Sequence, residues 1–166
     1  MQDFRQLLVW KRAHAFALNV RRVVQAMPRT GYTDLKSQMT RSAQSIVDNI
    51  VEGCGAASRL EFARYLDISV KSTSEVDYQL EFARDVRVIS HDVWKPLAKE
   101  VIELRKMLSA LRRSVLAAAA RDKTVPPPIR SSRKPRRNAA ANRSRDGKPE
   151  AHGSGEGKPE DAGSDD

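Results

Sequence analysis

Three groupings of side chains in the sequence have types and spacings that could do chemistry. The first lies in SIVDNIVEG, residues 45–53, where Asp48, Asn49 and Glu52 interrupt a run with the composition of a buried helix. On a helical wheel Ser45, Asn49 and Glu52 form a stripe beside the apolar face. Ser72, Glu75, Gln79 and Phe82 form a similar border stripe further along, so Glu52 and Glu75 could meet across a bundle. Paired carboxylates hold metal in di-iron bundles, but those sites need Glu-x-x-His, because a carboxylate and an imidazole three apart reach one ion. The histidines are His14, His91 and His152, and none stands three beyond a Glu. No metal site and no cofactor follow from this pattern. Hydrolysis by paired acids would need a cleft, which a compact bundle seldom provides. Asn49, Glu52, Gly53 and Glu75 are therefore expected to be structural, orienting helices or subunits.

The second grouping is Arg84 and His91, with six residues between them. A histidine as acid or base and an arginine steadying a scissile phosphate would make a ribonuclease. Here Arg84 ends one predicted helix and His91 starts the next, so the two do not share a helix face. No catalytic residue is assigned, and the expectation is a protein that is not an enzyme.

The third grouping is cationic. The chain holds 30 Lys/Arg against 21 Asp/Glu, a formal net charge of +9. The excess is spread over the first 124 residues, and residues 126–145 add basic side chains with no acidic ones. Residues 146–166 reverse the sign. A net positive domain favours polyanionic partners by long-range attraction and counterion release. Candidate phosphate contacts are Arg5, Lys11, Arg12, Arg21, Arg22 and Arg41, together with Arg133, Lys134, Arg136 and Arg137 in the basic run.

Four amphipathic segments must carry these groups. The first spans about Phe4 to Met27, with Asp3 and Gln6 spaced as a capping box and Pro28 after it. The second spans about Asp34 to Cys54 with Thr33 as its N-cap. Its stripe of Leu35, Met39, Ala43, Ile46, Ile50 and Cys54 has helical spacing, and Gly53 and Gly55 supply left-handed residues at its end. The third starts at Ser58, capped with Glu61, and reaches about Val86. Its small inner residues Ser69, Ser72 and Thr73 let a neighbour approach, their hydroxyls bonding to backbone carbonyls. The fourth starts near Ser90, with Pro96 placed before the helical ladder needs its amide. Its apolar seam runs from Val93 through Leu97, Val101, Leu104, Leu108 and Leu111 to Val115. The predicted fold is all-α: an antiparallel up-and-down four-helix bundle over residues 1–124. A low-complexity tail over 125–166, basic then acidic, is expected to be disordered. A single Cys, no signal-like N-terminus and no long apolar run point to a cytoplasmic protein that does not enter a membrane.

The segments FRQLLVWKRA (4–13), LKSQMTRSAQSIVDNIVEG (35–53) and EFARYLDISVKSTSEVDYQLEFAR (61–84) together resemble the 23S rRNA intervening-sequence proteins, a bacterial four-helix-bundle family. Val51 stands where that family usually has Ala, and the tail has no counterpart. The resemblance implies a homopentamer with an axial opening, and no catalytic residues. The chain is similar also to the accessory proteins of diversity-generating retroelements, pentamers that bind nucleic acid and a reverse transcriptase. Arg41, Ser45 and Asn49 follow at steps of four on one edge, where Arg41 is either an ion-pair partner or a phosphate contact. The expected function is therefore non-enzymatic binding of RNA or DNA by an oligomeric bundle. The alternative is a pentameric scaffold for a protein partner such as a reverse transcriptase. Exposed Trp10, Phe16 and Trp94 are expected at a subunit seam.

Overall fold

The computed structural model describes residues 3–124, which fall within one compact unit. The predicted disorder of residues 125–166, with Arg133, Lys134, Arg136 and Arg137, lies outside the described residues. A single 3₁₀ turn at Phe4–Gln6 leads into four helices: α1 (Leu8–Ala26), α2 (Thr33–Cys54), α3 (Arg59–Asp85) and α4 (His91–Thr124). Each helix packs on its neighbours in sequence and α4 closes back on α1, while among the described residues the diagonals α1–α3 and α2–α4 do not pack together. This is the four-helix bundle that the apolar periodicity implies.

Each helix contributes one stripe to a single core. Phe16 and Val20 meet Met39, Ile46 and Ile50, and Leu66, Val76 and Leu80 close on Val101, Leu104 and Leu108, all fully buried. The side chain of Phe16, expected at an exposed seam, is in this core. Its position, three residues after Ala13 and four before Val20, puts it on the buried stripe.

The helix ends depart from the sequence expectations in four places. Asp3 caps the 3₁₀ turn, accepting from the Arg5 amide at 3.0 Å, and α1 begins later behind Leu7 without a side-chain cap. The N-cap of α2 is Tyr32 rather than Thr33. It is left-handed at φ 56° after Gly31 at φ 78°, and this pair turns the chain between α1 and α2. Pro96 lies beyond the first turn of α4, where the ladder has already begun with Trp94 bonding to Ser90, so one ladder bond is missing on an exposed side. The fourth departure concerns glycine. Gly53 is helical and buried and Gly55 is right-handed, so neither ends α2 by a left-handed turn.

The end of α3 has the left-handed residue instead. Arg87 stands at φ 59°, its amide bonds to the Arg84 carbonyl at 2.9 Å, and the Val88 amide reaches the Ala83 carbonyl at 2.9 Å. These are the two bonds of a Schellman cap, with arginine where glycine is usual. Ser58 behaves as predicted, accepting from the Glu61 amide at 3.1 Å, while the Glu61 carboxylate accepts from the Ala57 amide at 2.9 Å.

Candidate functional site: a polar seam and a basic wall

The border stripes singled out in the sequence meet along the α2–α3 seam. Ser42 Oγ donates to Gln79 Oε1 at 2.6 Å, and the Ser45 and Ser72 hydroxyls lie 2.9 Å apart. Asn49 Nδ2 donates to the Ser45 carbonyl at 2.8 Å and to Ser45 Oγ at 3.1 Å. Ser69, fully buried, donates to the Ile46 carbonyl across the seam at 3.1 Å. Small hydroxyl residues bring the two backbones close, and each buried hydroxyl finds an acceptor, which avoids the cost of an unpaired polar group. Gly53 takes part in the same close approach. A Cβ there would stand 2.6 Å from Phe62 Cδ2 and 3.0 Å from Tyr65 Cβ.

That register separates the two glutamates. Ser42 faces Gln79, Ser45 faces Ser72, and Gly53 faces Phe62 and Tyr65. Glu52 is thus level with Tyr65, about ten residues or ~15 Å of helix from Glu75. Both side chains are exposed. Glu75 instead borders a shallow polar groove with Gln38, Arg41, Ser42, Ser45 and Gln79. Arg41 lines that groove too, so the edge it shares with Ser45 and Asn49 runs along the seam. Among the described residues no group of three or more His, Cys, Asp or Glu is placed to hold a metal ion. Cys54 is buried, and desolvation raises its thiol pKa above the ordinary value, with Asp3 adding to the rise. A thiol in that state is a poor nucleophile.

Arg84 and His91 are drawn to one side chain. The Arg84 guanidinium lies 4.2 Å from the centroid of the Trp94 ring, and the His91 ring is 5.3 Å from it. Two donors of Arg84, Nε and Nη2, are held by Asp85 Oδ1 at 2.9 and 2.8 Å, and His91 is exposed. Trp94 is half-buried under this arrangement, and Trp10 is half-buried against Phe4 and His14.

The cations are distributed by wall. Helices α1 and α4 are adjacent and together carry twelve Lys/Arg against four Asp/Glu, whereas α2 and α3 carry six against nine. Between Asp3 and Asp34 the chain has six basic residues and no acidic one. Of the predicted contacts, Lys11, Arg12, Arg21 and Arg22 are exposed on α1. Arg5 precedes α1, paired loosely with Asp3 at 3.6 Å and packed over Phe4 at 4.4 Å. Arg41 belongs to the opposite wall. Sequence reasoning missed the outer stripe of α4, where Lys95, Lys99, Lys106 and Arg113 are exposed at spacings of four, seven and seven. Arg12 leans over from α1, its Nη1 3.5 Å from Met107 Sδ. Glu103 lies within this group. Its pKa is lowered first by the hydrogen bond from Lys106, then by the charges of Lys106, Arg12 and Lys99.

A profile of the 23S rRNA-intervening sequence protein family matches residues 5–110. Among solved structures, the chain is similar to a protein of unknown function from the S23 ribosomal protein family of Bacteroides thetaiotaomicron VPI-5482. The two share 24% identity over 63% of this chain and 98% of that one, with a TM-score of 0.58, which establishes a common fold. No curated protein matches the chain. No helix among the described residues is long and apolar enough to cross a membrane.

Proposed function

The chain belongs to the 23S rRNA-intervening sequence protein family, and on that footing we propose that it is a non-enzymatic bundle that binds RNA or DNA through phosphate contacts. The observation that carries this reading is the basic wall. Two adjacent helices that carry twelve cations against four carboxylates keep an excess of positive charge even with Arg105 and Arg112 turned to Asp77 and Asp67 of α3, and they gain from releasing the counterions of a polyanion. The stripe from Lys95 to Arg113 is about 27 Å long at the helical rise, enough to follow several phosphates of one strand. Arg12, Lys99 and Lys106 form its centre, where the like charges cluster round Glu103. Contacts of this kind position a duplex without reading its bases.

The test is fluorescence anisotropy of the full-length chain with a labelled RNA duplex and a DNA duplex of equal length, at low and moderate salt. Wild type should lose affinity steeply as salt rises. Reversing Lys99, Lys106 and Arg113 to Glu should weaken binding at least tenfold. On DNA it should also flatten the salt slope by roughly 0.9 for each phosphate that is no longer neutralised. A parallel variant with Arg133, Lys134, Arg136 and Arg137 changed to Ala separates the share of the basic run. Affinity indifferent to salt, or unmoved by the α4 reversal, refutes the wall as the binding surface.

A further inference from the structure

A groove between α3 and α4 has a lining that neither the core nor the basic wall explains. It is a hollow of about 420 Å³, within the range of small-molecule sites. Its apolar surface comes from Leu60, Ile68 and Leu116, and Leu60 and Ile68 are 44% and 43% exposed. Its polar rim comes from Arg64, Lys71 and Arg112, with Asp67 as the one carboxylate among the lining residues.

That carboxylate does not satisfy the three cations. Lys71 Nζ holds Asp67 Oδ2 at 3.0 Å. Arg112 Nε stands 3.3 Å from Asp67 Oδ1 without the geometry of a hydrogen bond, so this buried donor has no partner. A buried donor in that condition is costly, and nothing bonded to Arg112 holds its guanidinium where it stands. Arg64 is exposed, with no carboxylate within ion-pair distance among the described residues.

We propose that this groove binds a small amphipathic anion, a free carboxylic acid with an aliphatic chain. Its carboxylate lies between Arg64 and Arg112 and accepts charge-assisted bonds from their terminal nitrogens, while the chain covers Leu60, Ile68 and Leu116. Both halves are needed. Exposed cations alone hold any anion weakly, and single exposed apolar side chains are ordinary surface. The size selects a small ligand over a protein. From Leu60 to Ile68 the apolar stretch is about 12 Å along α3, the length of roughly ten carbons of an extended chain. A partner helix would need a much longer seam to bury ~800 Å². A second hollow on the other flank of Arg64 and Ile68 is smaller, about 270 Å³, and Glu61 borders it, which turns an anion toward the α4 side. None of the groove residues belongs to the α4 stripe, so the site stands whether or not that stripe binds nucleic acid.

Isothermal titration calorimetry of the full-length chain tests this with hexanoate, octanoate and decanoate below their micelle-forming concentrations, and circular dichroism confirms the fold of each variant. Decanoate should bind at one site per chain, and affinity should rise about two- to fourfold per methylene along the series. Octan-1-ol, which keeps the chain without the charge, should bind roughly tenfold or more weakly than octanoate. Arg64→Gln with Arg112→Gln should weaken decanoate by a similar factor, and Leu60→Ser with Ile68→Ser should flatten the dependence on chain length. Asp67→Asn releases Lys71 and Arg112 and should tighten binding severalfold. Lys99→Glu with Lys106→Glu should leave decanoate binding unchanged, whatever it does to nucleic-acid affinity. No binding of decanoate, or binding that ignores either groove pair, overturns the proposal. So does loss of binding with the Lys99 and Lys106 pair, which would put the anion on the α4 stripe. Capture by vesicles of anionic phospholipid with no binding of free decanoate overturns it too, and would make the groove a membrane contact.

Discussion

Gly53→Ala tests the α2–α3 seam where its geometry is tightest. In the interior of an ordinary helix this change stabilises by about 0.5–1 kcal/mol, because glycine loses more backbone freedom on folding. At this site the new Cβ would stand 2.6 Å from Phe62 Cδ2, 3.0 Å from Phe62 Cε2 and 3.0 Å from Tyr65 Cβ. The Phe62 ring can swing aside, but Tyr65 Cβ is fixed to the α3 backbone, so relief requires the helices to part. Parting them stretches the bonds from Ser69 to Ile46 and between Ser45 and Ser72, at 3.1 and 2.9 Å. Overpacking of this kind costs about 1–3 kcal/mol. Against the helical gain, the net is a destabilisation of roughly 1–2 kcal/mol, and for a domain of this size that lowers Tm by about 3–10 °C. Thermal and urea unfolding followed by circular dichroism measure it. Combining the change with Phe62→Leu should recover part of the loss, a coupling expected of residues that touch. A Gly53→Ala chain as stable as wild type, or more so, would refute the claim that this glycine is held by the close approach of α3.

Four further outcomes follow from the packing and the charges. Ser69→Ala removes the donor to the Ile46 carbonyl inside the bundle and should cost about 1 kcal/mol in urea unfolding. Arg105→Met releases Asp77 and the Thr73 hydroxyl, held at 2.8 and 3.0 Å between α3 and α4, and should lower the urea midpoint by an amount that shrinks in high salt. Arg87→Gly relieves the left-handed residue of the α3 cap and should raise stability by roughly 1 kcal/mol in the same assay; an unchanged or lower midpoint would mean that the charge at this end outweighs the strain. The Asp67 carboxyl is held below its ordinary pKa first by the hydrogen bond from Lys71, with the charges of Lys71 and Arg112 adding to it. The unfolded chain therefore binds that proton more readily. The stabilisation is complete above about pH 4 and disappears as pH falls through the lower folded value. Thermal unfolding across that window should show a small decline that Asp67→Asn flattens.

The sequence made the four helices legible because their apolar stripes have a period that only a helix satisfies, and turn residues bracket each one. It was least informative where one residue type serves two purposes. A glycine near a helix end usually turns the chain, and Gly53 has that position, but it serves the approach of Phe62 and Tyr65, which are close only after folding. Residues Glu52 and Glu75 share the right stripes, and only the antiparallel register shows that they stand at different heights. The α4 cations are spaced four, seven and seven with Ile102 and Glu103 between them, so along the chain they resemble an ordinary wet face. Their significance depends on Arg12 arriving from α1. Phe16 was legible as part of a helix but not as core, because the side facing the other three helices is set by all four stripes at once.

The unequal walls also bear on how the molecule meets anything charged. Twelve cations against four carboxylates in α1 and α4, two of them (Arg105 and Arg112) reaching to α3, and six against nine in α2 and α3, give the bundle a dipole perpendicular to its long axis. In the field of a polyanion such a body rotates as it approaches and arrives with α1 and α4 leading. Orientation, normally the step that makes protein encounters slow, is then partly accomplished before the two surfaces touch. Neutralising acidic residues on the far wall, for instance Asp48 and Glu52, would leave every leading cation in place and raise the net charge, yet it would shrink this turning force. Stopped-flow association at low salt can separate the two effects, because net charge sets how strongly the chain is drawn in and the dipole sets how often it arrives facing the right way.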